Sequence, residues 1–117
     1  MIYYIDNLFL DEEVKRKIKT IKWKLKHGCG MVNIHVLLLA ENGQDVIDIV
    51  PAPIFKQRAY RKENHTVIGI AGNYDSAISL VSDIYNYHYE EFGNYSGMRE
   101  YLVGLSGSVK NNENKME

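Results

Sequence analysis

The chain has 117 residues, of which 45% are hydrophobic and 25% charged, and its formal net charge is −1. These values are typical of one globular domain and exclude a disordered or fibrous chain. The longest apolar run, residues 34–40, is far shorter than the roughly 20 residues that span a bilayer, which excludes a transmembrane helix.

We predict one compact domain over residues 1–105 and a flexible polar tail over residues 106–117, where the side chains become small and polar. The first residues have no positive flank and soon meet Asp6, so no secretory signal is predicted. A single cysteine, Cys29, cannot form an internal disulfide, which is typical of a reducing compartment. A cytoplasmic location is therefore expected.

The net charge conceals two segregated sets of charged residues. Residues 14–27 contain seven basic side chains and no acid, and four more bases follow within residues 56–62. Residues 63–100 contain six acids and a single base, Arg99. This distribution predicts a molecular dipole whose basic end attracts an anionic partner.

The first part of the chain predicts a short strand and a helix. Residues 2–5 are β-prone, and Asp11 suits a helix N-cap with acids in the first turn. Apolar residues then recur at helical spacing until Gly28 provides a stop, which predicts a helix over residues 12–27. Residues 20–26 also alternate with a period of two, so a strand remains the alternative there.

The middle of the chain predicts strands. Two apolar runs, residues 32–40 and 45–50, flank an Asn-Gly pair, which is the strongest short signal for an antiparallel hairpin. The basic stretch over residues 55–62 is a connection or a short helix. Residues 66–71 are apolar on both faces and predict a central strand, in which Gly69 marks a close approach of two backbones.

A long helix is predicted over residues 74–92, with Asn73 as its cap and Gly93 as its stop. Its apolar and aromatic positions cover about 200°, whereas one buried face needs only about 100°. A second surface must therefore cover the excess, and this predicts a homodimer or other homo-oligomer. The residues expected at that self-association surface are Tyr85, Tyr87, Tyr89 and Phe92.

Together these elements predict the α+β fold class, with an antiparallel or mixed sheet of about 3–4 strands and two main helices packed on one face. The predicted order is β-α-β-β-β-α. From residue 12 onward this order resembles the topology of double-stranded RNA-binding domains. In that family the second helix begins with a lysine-rich contact motif, whereas residues 73–76 are neutral to acidic. A nucleic-acid site here would use the first helix and residues 56–62.

A second resemblance covers residues 66–89, with Val-Ile-Gly-Ile-Ala-Gly followed by Ala-Ile-Ser-Leu-Val-Ser-Asp-Ile-Tyr. This stretch is similar to one found in short uncharacterised proteins of Gram-positive anaerobes, and the similarity extends back loosely to residues 55–57. It implies a compact unit of a strand followed by a helix. It transfers no functional residue.

Trp23 is the most informative aromatic residue, because a helix over residues 12–27 places it among lysines and opposite the apolar face. Cations beside an aromatic ring suit phosphate contact and base stacking. In the alternative interpretation, the lysines only solubilise the helix, and Trp23 packs under a loop or in a dimer interface. The residues predicted to bind an anionic partner are Lys15, Lys19, Lys22, Trp23, Lys26, Lys56, Arg58 and Arg61.

No catalytic signature is evident, and neither a cofactor nor a metal site is predicted. His27 and Cys29 are too few to form a zinc site, and His88 is expected to be a core histidine. We therefore predict a self-associating binding domain with a basic face. The alternatives are an RNA- or DNA-binding protein that uses the basic first helix, and a small-molecule enzyme with a pocket near His88 or Gly72.

Overall fold

A computed structural model of the chain describes residues 2–40 and 46–93. The elements in chain order are β1 (Ile2–Leu10), α1 (Glu12–Arg16), α2 (Ile18–His27), β2 (His35–Leu39), β3 (Ile47–Pro51), a 3₁₀ helix (Ala52–Lys56), α3 (Arg58–Lys62), β4 (His65–Ala71) and α4 (Tyr74–Phe92). The predicted α+β class is confirmed. The 3₁₀ helix and α3 occupy the stretch that the sequence left as a connection or a short helix.

The four strands form one mixed sheet in the order β1-β4-β2-β3. The pair β2 and β3 is antiparallel, with Leu37 opposite Ile49, which confirms the predicted hairpin. The Asn-Gly pair of its turn lies outside the described residues. β4 lies between β1 and β2, parallel to the first and antiparallel to the second, so its predicted central position is also confirmed.

The helices lie on opposite faces of the sheet, which corrects the expectation that both pack on one face. On one side, Val36 and Leu38 of β2 belong to the same core as Leu25 of α2. On the other side, Leu37 of β2 belongs to a second core with Ile84 of α4. Successive side chains of a strand point to opposite faces, so a strand that is apolar at every position needs cover on both.

The predicted helix over residues 12–27 forms, and the alternative strand over residues 20–26 does not. Lys17, with φ −118° and ψ 15°, separates α1 from α2. Gly28 ends α2 in the left-handed conformation, at φ 70°.

β1 is longer than the predicted residues 2–5, and its register with β4 shifts along its length. Tyr4 pairs with Val67, whereas Phe9 pairs with Gly69, so β1 has more residues than β4 between these two points and the pairing there is irregular. A Cβ atom on Gly69 would lie 2.7 Å from the carbonyl oxygen of Phe9, which confirms the predicted close approach of two backbones.

α4 has the predicted bounds. Asn73 caps it by accepting a hydrogen bond from the backbone N–H of Ser76 at 2.8 Å, and Gly93 ends it at φ 74°. Within the described part of the chain, no helix is long and apolar enough to cross a membrane. The polar tail over residues 106–117 lies outside the described residues and stays a prediction.

Asp11 joins the two layers of helices. One carboxylate oxygen accepts a hydrogen bond from the N–H of Val14 at 2.9 Å, which caps α1 as predicted. The other accepts from the N–H of Gly72 at 2.6 Å, in the turn between β4 and α4. A single carboxylate therefore satisfies two backbone donors that are far apart in the sequence.

Replacing Asp11 by Ala leaves both donors without their acceptor. We expect Asp11→Ala to lower the free energy of unfolding by about 1–3 kcal/mol, as measured by urea denaturation. Asp6→Ala is the matched control, because Asp6 is exposed on β1, and it should change stability by less than about 0.5 kcal/mol. Equal losses in the two variants would contradict the joining role of Asp11.

Candidate anion-binding site

A cleft of about 670 Å³ lies between α2, α3 and the beginning of β1. Five of its eight described lining residues are basic, and none of those eight is acidic. The lining consists of Ile2, Tyr4, Lys22, Trp23, Lys26, Arg58, Arg61 and Lys62. The cleft thus combines positive charge with apolar and aromatic surface.

The wall formed by α2 follows from helical periodicity. Lys22 and Lys26 are four residues apart and therefore lie on one flank of the helix, next to Trp23. The side chain of Trp23 is 57% exposed, and its ring stacks on His27 with a centroid distance of 4.2 Å and an interplanar angle of 25°. The Nδ1 atom of His27 also lies 2.8 Å from the carbonyl oxygen of Trp23. The stack with His27 thus supports the indole where Trp23 lines the cleft.

The wall formed by α3 depends on an aromatic cluster, because a helix of five residues has little stability of its own. Tyr60 stacks on His65 at 4.3 Å and 23°, and the Nε2 atom of His65 lies 2.6 Å from the carbonyl oxygen of Tyr60. Phe55, which is buried in the core, meets both rings edge-on. The cluster attaches α3 to the beginning of β4.

Arg61 connects the two walls. Its Nη1 atom donates to the carbonyl oxygens of Phe55 at 2.8 Å and Lys56 at 3.0 Å, so the guanidinium covers the end of the 3₁₀ helix. A Cβ atom on Gly28 would overlap this guanidinium. Gly28, which ends α2, therefore also leaves room for the side chain of Arg61 on α3.

Tyr4 contributes a neutral aromatic surface to the cleft. The Nζ atom of Lys22 lies 4.5 Å from the centre of its ring, within the range of a cation–π interaction. Burial raises the pKa of Tyr4 to about 12. The phenol is therefore uncharged at neutral pH and adds no repulsion toward an anion.

Of the residues predicted to bind an anionic partner, five line the cleft: Lys22, Trp23, Lys26, Arg58 and Arg61. Among the described residues Trp23 borders the cleft and does not pack under a loop, and its alternative position in a dimer interface stays a prediction. These residues come from two segments about thirty positions apart in the sequence, which the fold brings together.

The other three predicted residues lie outside the cleft. Lys15 is on α1 and forms an exposed ion pair with Glu12, with Nζ and Oε1 3.5 Å apart. Lys19 is exposed on α2, one turn before Lys22, and Lys56 lies beside Gly30.

The sequence prediction missed Lys62, Tyr4 and Ile2. A signal for Lys62 existed, because it follows Arg58 by four residues and so shares its helical face. No local signal identifies Tyr4 and Ile2, since they reach the cleft only through the pairing of β1 with β4.

The other candidate residues do not line the cleft. At Gly72, near which the enzyme alternative placed a pocket, the backbone N–H donates to Asp11. His88 is 2% exposed, and its ring lies 4.7 Å from that of Phe92, which fits the predicted core position. Cys29 is exposed and free. Among residues 2–40 and 46–93, no three His, Cys, Asp or Glu side chains are close enough to hold a metal ion.

The residues predicted for self-association lie along the second half of α4. Tyr87, Tyr89 and Phe92 are 49%, 49% and 51% exposed, whereas Tyr85 is partly buried against the core beneath α4. Tyr87 also meets the ring of Phe9 edge-on at 6.4 Å. Three of the four residues thus present aromatic surface to solvent.

The raised pKa of Tyr4 makes the free energy of unfolding depend on pH. A tyrosine in the unfolded chain has a pKa near 10, and the folded value is about 12. Because the folded pKa is the higher one, the contribution is complete below about pH 10 and is lost as the pH rises toward about 12. We expect Tyr4→Phe to lose less unfolding free energy than the natural chain between about pH 9 and about pH 11, measured by guanidinium denaturation.

The control for this measurement is Tyr74→Phe, because Tyr74 is 54% exposed. This variant should follow the natural chain at both pH values. If Tyr4→Phe loses as much unfolding free energy at alkaline pH as the natural chain, the buried phenol of Tyr4 is not the cause of the loss.

Comparison of the chain with protein-family models, with curated proteins and with solved structures finds no match in any of the three. The features of the cleft that bear on function are its converging basic side chains and its exposed indole.

Proposed function

We propose that the protein is a small binding domain that holds an anionic partner in the cleft between α2 and α3. The observation that supports this proposal is the convergence of five basic side chains around an exposed indole. Like charges gathered in one cleft repel each other, and a bound anion relieves that repulsion. The same field attracts an anion from solution and raises its rate of association.

The chemistry of the lining favours a phosphate-bearing partner. Arg58 carries a planar guanidinium group that matches two oxygens of one phosphate, whereas the lysines supply point charges. The Nη1 atom of Arg61 already donates to two backbone carbonyls, so Arg61 adds positive charge to the cleft. Ile2, Tyr4 and Trp23 give the cleft an apolar side as well. A ligand that joins a phosphate to a flat or apolar body therefore uses more of the cleft than a simple inorganic ion.

Charge reversal on α2 tests this proposal. We expect the double variant Lys22→Glu/Lys26→Glu to bind inorganic polyphosphate about tenfold or more weakly at about 50 mM salt, because two phosphate contacts become repulsive. The measurement is isothermal titration calorimetry, repeated at increasing salt concentration. Affinity of the natural chain should fall as the salt concentration rises.

The matched control is Lys17→Glu/Lys24→Glu, which makes the same change in net charge in the same part of the chain. Lys17 and Lys24 line a different depression, together with Glu13. If both double variants lose affinity equally, binding follows net charge and not the cleft. Circular dichroism of each variant shows whether the helices are retained.

We further propose that the protein self-associates as a homodimer in the cytoplasm, through the exposed aromatic residues of α4. Ile78, at 44% exposed, and Tyr89 and Phe92, at about half exposed, add apolar surface to the outer side of this helix. Exposed apolar patches commonly mark protein interfaces. The free thiol of Cys29 fits a reducing compartment. Kinship of residues 66–89 with short proteins of Gram-positive anaerobes stays a proposal and adds no functional residue.

Sedimentation across about 1 to 100 μM protein tests self-association, since a dimer forms by mass action. We expect the mass to rise toward twice the 13.5 kDa of one chain. Tyr89→Glu should prevent the rise, because it places a charge in the interface. Thr20→Glu is the control, since Thr20 is exposed on α2, which covers the opposite face of the sheet. A single-chain mass at every concentration would exclude the homodimer.

A further inference from the structure

We propose that the cleft binds single-stranded nucleic acid, with one base stacked on Trp23 and the adjoining phosphates on the basic residues of α2 and α3. This inference rests on the proposed function, because it names the partner of the same cleft. It differs from general anion binding by assigning a separate role to the indole. That role is to contact a base, which carries no charge.

The indole is arranged as a stacking platform. His27 lies against one face of the ring at 4.2 Å, and His27 is not among the described residues that line the cleft, whereas Trp23 is. The rest of the indole therefore borders the cleft, where a planar group can reach it. Because the stack with His27 already restrains the indole, less conformational freedom is lost on binding.

The basic residues are arranged in two rows that flank the platform. Lys22 and Lys26 on α2, and Arg58 and Lys62 on α3, are each four residues apart. Four residues of α-helix rise about 6 Å, which is close to the distance between successive phosphates of an extended single strand. Each helix can thus contact two neighbouring phosphates while the base between them turns toward Trp23.

The cleft of about 670 Å³ is large enough for one nucleotide unit, whether free or within a strand. One observation favours the strand over an isolated nucleotide. The charge continues past the cleft, because Lys19 is exposed one turn before Lys22. A free nucleotide has no group that reaches this lysine.

The indole also distinguishes a single strand from a duplex. Bases in a duplex are stacked on each other and do not offer their faces to a side chain, whereas bases in a single strand do. In addition, the beginning of α4, where double-stranded RNA-binding domains carry their lysines, has Asn73 and Asp75 here. Within residues 2–40 and 46–93, every lysine and arginine lies in residues 15–26 or 56–62.

The test uses the full chain and a fluorescein-labelled oligonucleotide of about seven nucleotides, as RNA and as DNA, with anisotropy as the readout. Trp23 is the single tryptophan, so quenching of its own emission by an unlabelled oligonucleotide reports contact with the cleft. We expect saturable binding with quenching. Trp23→Ala should weaken binding about tenfold or more, and Trp23→Phe should restore most of the loss, because a smaller ring still stacks. Tyr74→Ala, at an exposed aromatic residue of α4, should leave the affinity unchanged.

Three parallel titrations separate the possible partners. Adenosine monophosphate bound as tightly as the oligonucleotide would overturn the strand, and a duplex of the same sequence bound as tightly would overturn the stacking role. Unchanged affinity in Trp23→Ala would do the same. In each of these cases the proposed anion-binding function still holds if the natural chain binds inorganic polyphosphate and Lys22→Glu/Lys26→Glu weakens that binding. If polyphosphate and oligonucleotide both fail to bind, the proposed function and this inference both fail.

Discussion

The fold depends on the burial of β4 on both of its faces. Val67 and Ile70 belong to the core under α2, while Ile68 and Ala71 belong to the core under α4. All four side chains are fully buried. A strand without a polar side must have an element above it, one below it, and a hydrogen-bonded strand on each edge. β1 and β2 provide the edges, and α2 and α4 provide the cover. The remaining elements take their positions from this strand.

The candidate site is a consequence of the parallel pairing of β1 with β4. Ile2 pairs with His65, so the beginnings of both strands meet at one end of the sheet. α3 ends just before β4 and is attached there by the stack of Tyr60 on His65, and α2 passes over the same end. The cleft forms where the two helices and the beginning of β1 meet, and its basic side chains converge because both helices carry them.

The carboxylate of Asp11 and the lysines of α2 lie in different surroundings. The carboxylate of Asp11 lies between two backbone N–H donors, so the turn before α4 contains its own anion. In contrast, the positive charges of α2 divide between two flanks, with Lys22 and Lys26 in the cleft and Lys24 on the other side. Only the first of these flanks faces α3, so the basic residues that the sequence predicted as one group divide between two surfaces of the same helix.

The sequence by itself determined the elements whose causes are local. Capping by Asp11 and Asn73, helical spacing up to Leu25, and an apolar run at β4 depend on near neighbours, and each predicted its element correctly. Only the tertiary structure decided that α2 and α4 cover opposite faces, that Lys15 and Lys56 lie away from the cleft, and that Tyr4 and Ile2 belong to it. The physical reason is that these positions depend on which strands pair and whether they run parallel or antiparallel. The hydrogen bonds between strands join distant segments, so they produce no periodic pattern within a single segment of the sequence.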